Sequence, residues 1–404
     1  NSLLFMINWF KNWKLWKRSP IKHPCVEPLM VSDQETFERI VEQSLNVKHV
    51  AFDIESNGFY HYPERVCLIQ LAVRDQIFLI DPLALDDFTV LSTLFSDETV
   101  EKIFHAADYD IRSLDRDWGM RIHNLFDTGI AAAFIGSDRR GLAAVLKEYL
   151  NIEIIKNKKL QRADWSQRPL SQELTDYAAE DARHLKRLRD VLYQKLTKLG
   201  RTSWVEEEFS RLSAIKYTPQ DTEWGFLSIK GNRTLDGRGL AILRSLYDFR
   251  EDEAVSRDRP PFKIFPDSVL ISLASSPETD LTKIKGIGRY AHNPSAKGIA
   301  AAITSGINST RVRRPPKTNS RFSFDPASKG RGNSNERLKL LKEWRFAHGN
   351  DLKIDASLLW PANSLKRLSK YPESIGSELE CTEIRKWQKI EFADSLTRFV
   401  DSID

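Results

Sequence analysis

The chain has 404 residues, 41% apolar and 29% charged, and its 61 basic against 56 acidic side chains leave a net charge of +5. A mean hydropathy of −0.43 excludes a membrane-embedded chain, and the apolar share excludes a wholly disordered one. The mild basicity permits a nucleic-acid partner without demanding one. Cys25, Cys67 and Cys381 lie far apart and never form CxxC, which argues against a disulfide framework or Cys-rich zinc site and fits a reducing, cytoplasmic compartment.

In the N-terminal segment, 1–29, Phe5, Trp9, Trp13 and Trp16 recur at helical spacing with Lys11, Lys14, Lys17 and Arg18 between them. No apolar run approaches the roughly 18 residues of a membrane span, and no secretory cleavage pattern follows. Such a basic amphipathic helix covers the protein's own surface, or docks on a membrane surface or a partner.

Residues 30–205 read as an α/β domain. Residues 49–55 alternate, with Val50, Phe52 and Ile54 on one face and Ala51, Asp53 and Glu55 on the other. Val66–Val73 and Ile77–Ile80 are near-continuous apolar runs, so both faces of the sheet should be covered. Asp53 and Glu55 then sit side by side on a strand with buried neighbours, where they repel unless a cation lies between them. A solvent-facing strand edge is the plainer alternative. The run Phe104–Asp110 enters a helix whose apolar stripe is Ala107, Ile111, Leu114 and Trp118, placing Asp110 at the rim and Asp108 towards water. Further on, Ser171 reads as an N-cap, and Leu174, Tyr177, Ala178, Asp181, Ala182 and Leu185 share one helical face. Asp181 is centred on the face that should pack on the sheet, so an arginine, a lysine or a metal must neutralise it. Four carboxylates from three elements, with Tyr177 one turn from Asp181, suit hard divalent cations such as Mg²⁺ or Mn²⁺.

Helical periodicity breaks over 206–235, the expected linker. Two helical units follow, at 236–305 and 335–404, each ordered as long helix, loop, short helix, further helices. Between them, 306–334 is rich in Gly, Pro, Ser and Asn and carries seven basic residues against one acid, Asp325, the composition of a flexible cationic linker.

The patterns D-I-E at 53–55, H-x4-D at 105–110 and Y-x3-D at 177–181 resemble the three motifs of the DEDD 3′-5′ exonucleases, in their tyrosine-bearing subgroup. Phe126-Asp127-Thr128 and the run from Leu160 to Leu170 are similar to the ribonuclease D branch, and the two helical units resemble HRDC domains. The resemblance implies a ribonuclease-H-like α/β exonuclease domain, a mixed sheet flanked by helices, followed by two small all-α HRDC-like domains. It implies that Asp53, Glu55, Asp110 and Asp181 hold two divalent cations, Mg²⁺ or Mn²⁺, and that Tyr177 aims the attacking water. The expected reaction releases nucleoside 5′-monophosphates from an RNA 3′ end, with tRNA precursors or other structured RNA as substrate. His105 either touches substrate or supports its helix entry. His184 reads as a surface histidine, and Asp164, Trp165 and Arg168 as braces of the loop before Tyr177. Arg250 with its neighbours Arg244, Arg257 and Arg259, and Arg313 and Arg314 in the linker, are candidates for RNA phosphate contact; a solvated face is the plainer alternative. A DNA exonuclease on the same scaffold and a non-catalytic nucleic-acid-binding scaffold are the two rival functions.

Overall fold

The computed structural model describes residues 27–154, 157–219, 223–292, 294–315 and 334–403. The tryptophan-rich stretch and the linker residues Lys317, Arg321, Lys329 and Arg331 lie outside these.

Six strands form one mixed sheet in the order β1-β4-β3-β2-β5-β6: β1 Leu29–Val31, β2 His49–Ser56, β3 Val66–Val73, β4 Gln76–Ile80, β5 Glu101–Phe104 and β6 Leu125–Asp127. β3 runs antiparallel to both β2 and β4, and the remaining neighbours pair in parallel. The near-continuous apolar run of β3, interrupted only by Gln70, is buried at every residue but Val73, as a strand covered on both faces must be. Val50, Phe52 and Ile54 enter one core with Phe95, Phe104, Ile111 and Leu114, while Ala51 enters the core on the other face. The alternation therefore turns Asp53 and Glu55 towards the second face, where the helix Gln172–Arg183 crosses the sheet.

The α/β unit does not end at 205. Helix Thr202–Ser213 buries Trp204, Val205, Phe209 and Leu212, and Phe126 of β6 lies 4.9 Å from Phe209. This corrects the expected linker over 206–235: the apolar spacing of one more amphipathic helix runs to Leu212, beyond the point where it was read to fail.

The first helical unit comprises Gly237–Ser256, Pro261–Ile264, Asp267–Ser275 and Ser295–Asn308 around its own core. The last helix overruns the expected 305/306 boundary. Gly306 permits its close crossing, since a Cβ there would lie 2.5 Å from the Ile242 Cα. Residues beyond it stay docked: Val312 N–H donates to the Gly237 carbonyl (2.9 Å), and Arg314 donates to Asn232 Oδ1 and O (2.6 Å each).

The second unit repeats the plan with Ser334–Leu352, Ala356–Leu359, Ala362–Lys370, Ile375–Leu379 and Lys386–Ile403. The correspondence extends to one side chain. Arg250 Nη1 donates to the Phe265 carbonyl, and Arg345 Nη1 to the Trp360 carbonyl, each arginine reaching the residue after the short helix. Unlike the first unit, the second shares a core with the α/β unit: the Trp387 ring stacks on Trp204 (4.7 Å, 19°) and meets Phe134 edge-on (5.5 Å). Gly136, at φ +111°, ends helix Thr128–Ile135 against this unit; a Cβ there would lie 2.2 Å from the Lys353 carbonyl oxygen.

Candidate active site

Local sequence rules place each acid. Asp53 and Glu55 occupy alternate positions of β2, so they share a face. Ser171 caps its helix, its Oγ accepting from Leu174 N–H (3.3 Å), which sets the turn that carries Tyr177 and Asp181 over β2. The ligand oxygens of Asp53, Glu55 and Asp181 all lie within 4.8 Å of one another. Asp110 arrives on helix Asp108–Trp118, and there the structure departs from the helical-stripe reading: it is 6% exposed, buried rather than rimmed. The cause is Asp127. This fully buried carboxylate accepts from Ala107 N–H (2.8 Å) and from Ile130 N–H (2.9 Å), capping two helix starts and drawing the first turn of the Asp110 helix into the domain. Ala106, in the left-handed region at φ 60°, makes the sharp entry.

The electrostatics are those of unneutralised acids. Burial, then the Asp110, Asp181 and Glu55 carboxylates, push Asp53 well above the usual carboxylate range. Burial, then Asp181 and Asp110, do the same to Glu55. Burial and Asp127 push Asp110 up to about 8. The dominant charges on these groups are other carboxylates, so an internal salt bridge does not explain Asp53, Glu55 or Asp110. Gln70, the register partner of Asp53, is fully buried, and its side-chain amide has no hydrogen-bond partner among the described residues. A compact set of oxygen donors in mutual repulsion fits hard divalent cations. Tyr177 lies against the set: burial and the Asp181 charge hold its phenol well above the usual range, and its ring sits 6.2 Å from that of Trp165.

Asp53, Glu55, Tyr177 and Asp181 line an open cavity of about 570 Å³ together with His105. His105 Nδ1 pairs with Thr128 Oγ1 (2.9 Å), so the ring both supports the helix entry and borders the cavity. Among the further lining residues that the sequence reading did not single out are Phe59, Tyr109, Arg140 and Arg162. Tyr109 and Arg162 lie inside the motif runs themselves, and Arg140 stands in an Arg-Arg-Gly loop between helices. Arg140 Nη2 donates to Asp355 Oδ2 of the second helical unit (2.6 Å).

The bracing residues behave as expected. Trp165 is buried, Arg168 binds both oxygens of Asp81 (2.6 Å each) and the Cys67 carbonyl (2.7 Å), and Asp164 accepts from Ser166 and Gln167. His184 pairs with Glu180 (3.3 Å) outside the cavity. Arg250 is corrected: it is 5% exposed and bound to Asp267 Oδ1 (2.7 Å), its positive charge spent on its own fold and out of reach of a phosphate. Arg313 and Arg314 are exposed, away from the cavity lining, with Arg314 holding Asn232.

Carboxylates from three elements converge beside a tyrosine at one face of this mixed sheet, a donor set suited to divalent-metal chemistry. Residues 28–198 match the 3′-5′ exonuclease family, and residues 239–303 the HRDC domain. The chain is 32% identical over 304 residues to ribonuclease D of Zymomonas mobilis, covering 73% of this chain and 76% of that protein. It is 31% identical over 258 residues to the exosome complex component 10 homolog of Drosophila melanogaster, covering 62% of this chain but only 28% of that longer protein. Its fold matches the crystal structure of Escherichia coli RNase D with a TM-score of 0.70 at 22% identity, over 93% of this chain and 99% of that one. The chain belongs to the ribonuclease D family and is a 3′-5′ exoribonuclease by class. Neither the DNA exonuclease nor the non-catalytic scaffold is favoured beside this relationship. Among the described residues, no helix is long and apolar enough to cross a membrane.

Proposed function

We infer that the protein trims structured RNA from its 3′ end to nucleoside 5′-monophosphates, with tRNA precursors as the expected substrates and the cytoplasm as its place of action. The observation that carries this reading is the Asp53–Glu55–Asp181 cluster, with ligand oxygens within 4.8 Å, and Asp110 buried beside it.

Asp53, Glu55 and Asp181 would hold one divalent cation, and Asp53 with Asp110 a second, Mg²⁺ or Mn²⁺. When bound, such a pair lowers the pKa of a water and compensates charge on the leaving 3′ oxygen. Burial, then the Asp181 charge, hold the Tyr177 phenol above its ordinary range near 10, already too high for a base at neutral pH. Its hydroxyl is therefore an orienting hydrogen-bond group for the attacking water and not the base that deprotonates it. Arg162 sets positive charge at the cavity wall for the phosphates of the entering strand, whereas Arg140 at the same wall is paired with Asp355.

The test uses a 5′-labelled tRNA precursor with a single-stranded 3′ extension, incubated with Mg²⁺ or Mn²⁺. Stepwise shortening with release of 5′-monophosphates is expected, abolished by EDTA and by Asp181→Ala. Substantial trimming in EDTA, or by the variant, would overturn the reading. The same oligonucleotide made as DNA measures the sugar preference.

A further inference from the structure

Large apolar side chains that remain exposed are scattered over the described residues, but four aromatic ones group beside the acidic cavity, with Phe262 against Phe59 and Tyr60 next to Phe59 in the chain. Phe59 is 49% exposed, Tyr60 38%, Tyr109 48% and Phe262 55%. Phe59 and Tyr109 line the cavity itself. Phe262 comes from the first helical unit and meets Phe59 edge-on at 6.5 Å. Two cations are interleaved: the Arg162 guanidinium lies 5.9 Å from the Phe59 ring centre, and Lys263 Nζ lies 4.0 Å from that of Tyr60.

This cluster spans two folding units, and its geometry is held from both sides. Pro260 and Pro261 fix the start of the short Pro261–Ile264 helix that presents Phe262. Just before it, Asp258 accepts from Tyr62 N–H (3.0 Å) and pairs with His61 Nδ1 (2.6 Å), and the Tyr62 hydroxyl donates to Glu251 (2.7 Å). The docking uses these polar groups and the Tyr62 ring, which packs against the first unit's core, while Phe59, Tyr60 and Phe262 stay about half exposed although they also meet across the boundary. An aromatic surface that serves only to join two units would be buried between them.

We propose that Phe59 and Tyr60 of the α/β unit and Phe262 and Lys263 of the first helical unit form a composite stacking platform for the bases of a single-stranded RNA 3′ end. The occupant is set by chemistry on the page. The platform is continuous with a cavity built for a phosphodiester, and π-faces alternating with Arg and Lys suit bases strung on a charged backbone. The platform rests on the nuclease reading given above, and it assigns the first helical unit a direct part in holding the strand just upstream of the scissile bond.

The experiment uses the full chain and an eight-nucleotide RNA carrying 2-aminopurine three residues from its 3′ end, titrated in EDTA so that no cleavage intervenes. The wild-type protein should quench the fluorophore by stacking. Phe262→Ala should raise Kd about 5- to 100-fold and relieve the quenching. Phe262→Trp should restore both, whereas Phe262→Leu, which keeps apolar contact but no π-face, should not. Lys263→Gln should reduce the slope of log Kd against log salt by about one. Wild-type quenching by Phe262→Ala, or rescue by leucine equal to that by tryptophan, would overturn the platform. Should Phe262→Ala fail to fold, the Trp/Leu comparison and the Lys263 slope carry the decision. Cleavage of the same RNA by wild-type protein in Mg²⁺ is scored separately: its absence would sink the nuclease reading whatever the fluorescence shows.

Discussion

Asp53 is the side chain on which repulsion and function meet. Burial and three carboxylates act against its ionisation, so Asp53→Asn should have opposite effects on two measurements. Hydrolysis should fall more than about 100-fold if Asp53 is, as proposed, a carboxylate that would hold the metal. The metal-free variant should melt higher than wild type at pH 8, because the amide needs no proton to stay neutral in the buried site whereas the unfolded wild-type carboxyl has released its own. Single-turnover trimming and thermal melts in EDTA check the pair. Tyr177→Phe removes only an oriented hydroxyl, so kcat should fall about 10- to 100-fold with KM nearly unchanged, read from steady-state kinetics. The convergence of Asp53, Glu55 and Asp181 was legible because strand alternation puts the first two on one face of a sheet covered on both sides, and the third sits in the middle of an apolar helical face. Arg250 was misread because its residue type suggests a surface, while the Asp267 and Phe265 groups that bury its charge become neighbours only on folding.

At the scale of elements, Asp127 links β6 to two helices. Asp127→Ala would leave the Ala107 and Ile130 N–H groups buried without an acceptor, a loss of about 2–4 kcal/mol from two caps. Urea unfolding measures it, and weakened metal affinity should accompany it because Asp110 rides on one of the capped helices. The burial of Asp110 is therefore tertiary in origin. A helical stripe locates a residue relative to its own axis, but not relative to a neighbouring junction that tilts the axis inward. The strands β2, β3 and β4 emerged from period and apolar run alone, whereas three-residue β1 and β6 are too short to show a period. The second half of helix Thr202–Ser213 fell in the expected linker, although Phe209 and Leu212 continue its apolar face and Phe209 packs on Phe126 of β6.

For the molecule as a whole, the acid cluster couples stability to pH. Asp53, Glu55 and Asp110 keep their protons in the metal-free fold at pH values where the unfolded chain, with ordinary carboxyl pKa values near 4, has released them. The unfolded state then binds fewer protons, so this contribution to stability declines as pH rises from about 4 towards about 8, where Asp110 titrates in the fold. Divalent cations should reverse the trend. The gain in Tm on adding Mg²⁺ should be larger at pH 8 than at pH 6, measured by thermal melts across pH. The shared core makes a second whole-molecule prediction. Trp387→Ala should cost about 3–5 kcal/mol and shift the unfolding of the α/β and second helical units together, in a single urea transition.

The stack between Trp204 and Trp387 also bears on how the polypeptide is born. A ribosome finishes Trp204 about 10–40 s before its partner, at roughly 5–20 residues per second, and the Phe134 and Trp204 rings wait bare through that interval. The nascent chain thus presents a sticky aromatic surface on an otherwise complete α/β unit until its closing helix is made. Shielding by a chaperone that engages exposed aromatics during translation would govern the yield of active enzyme.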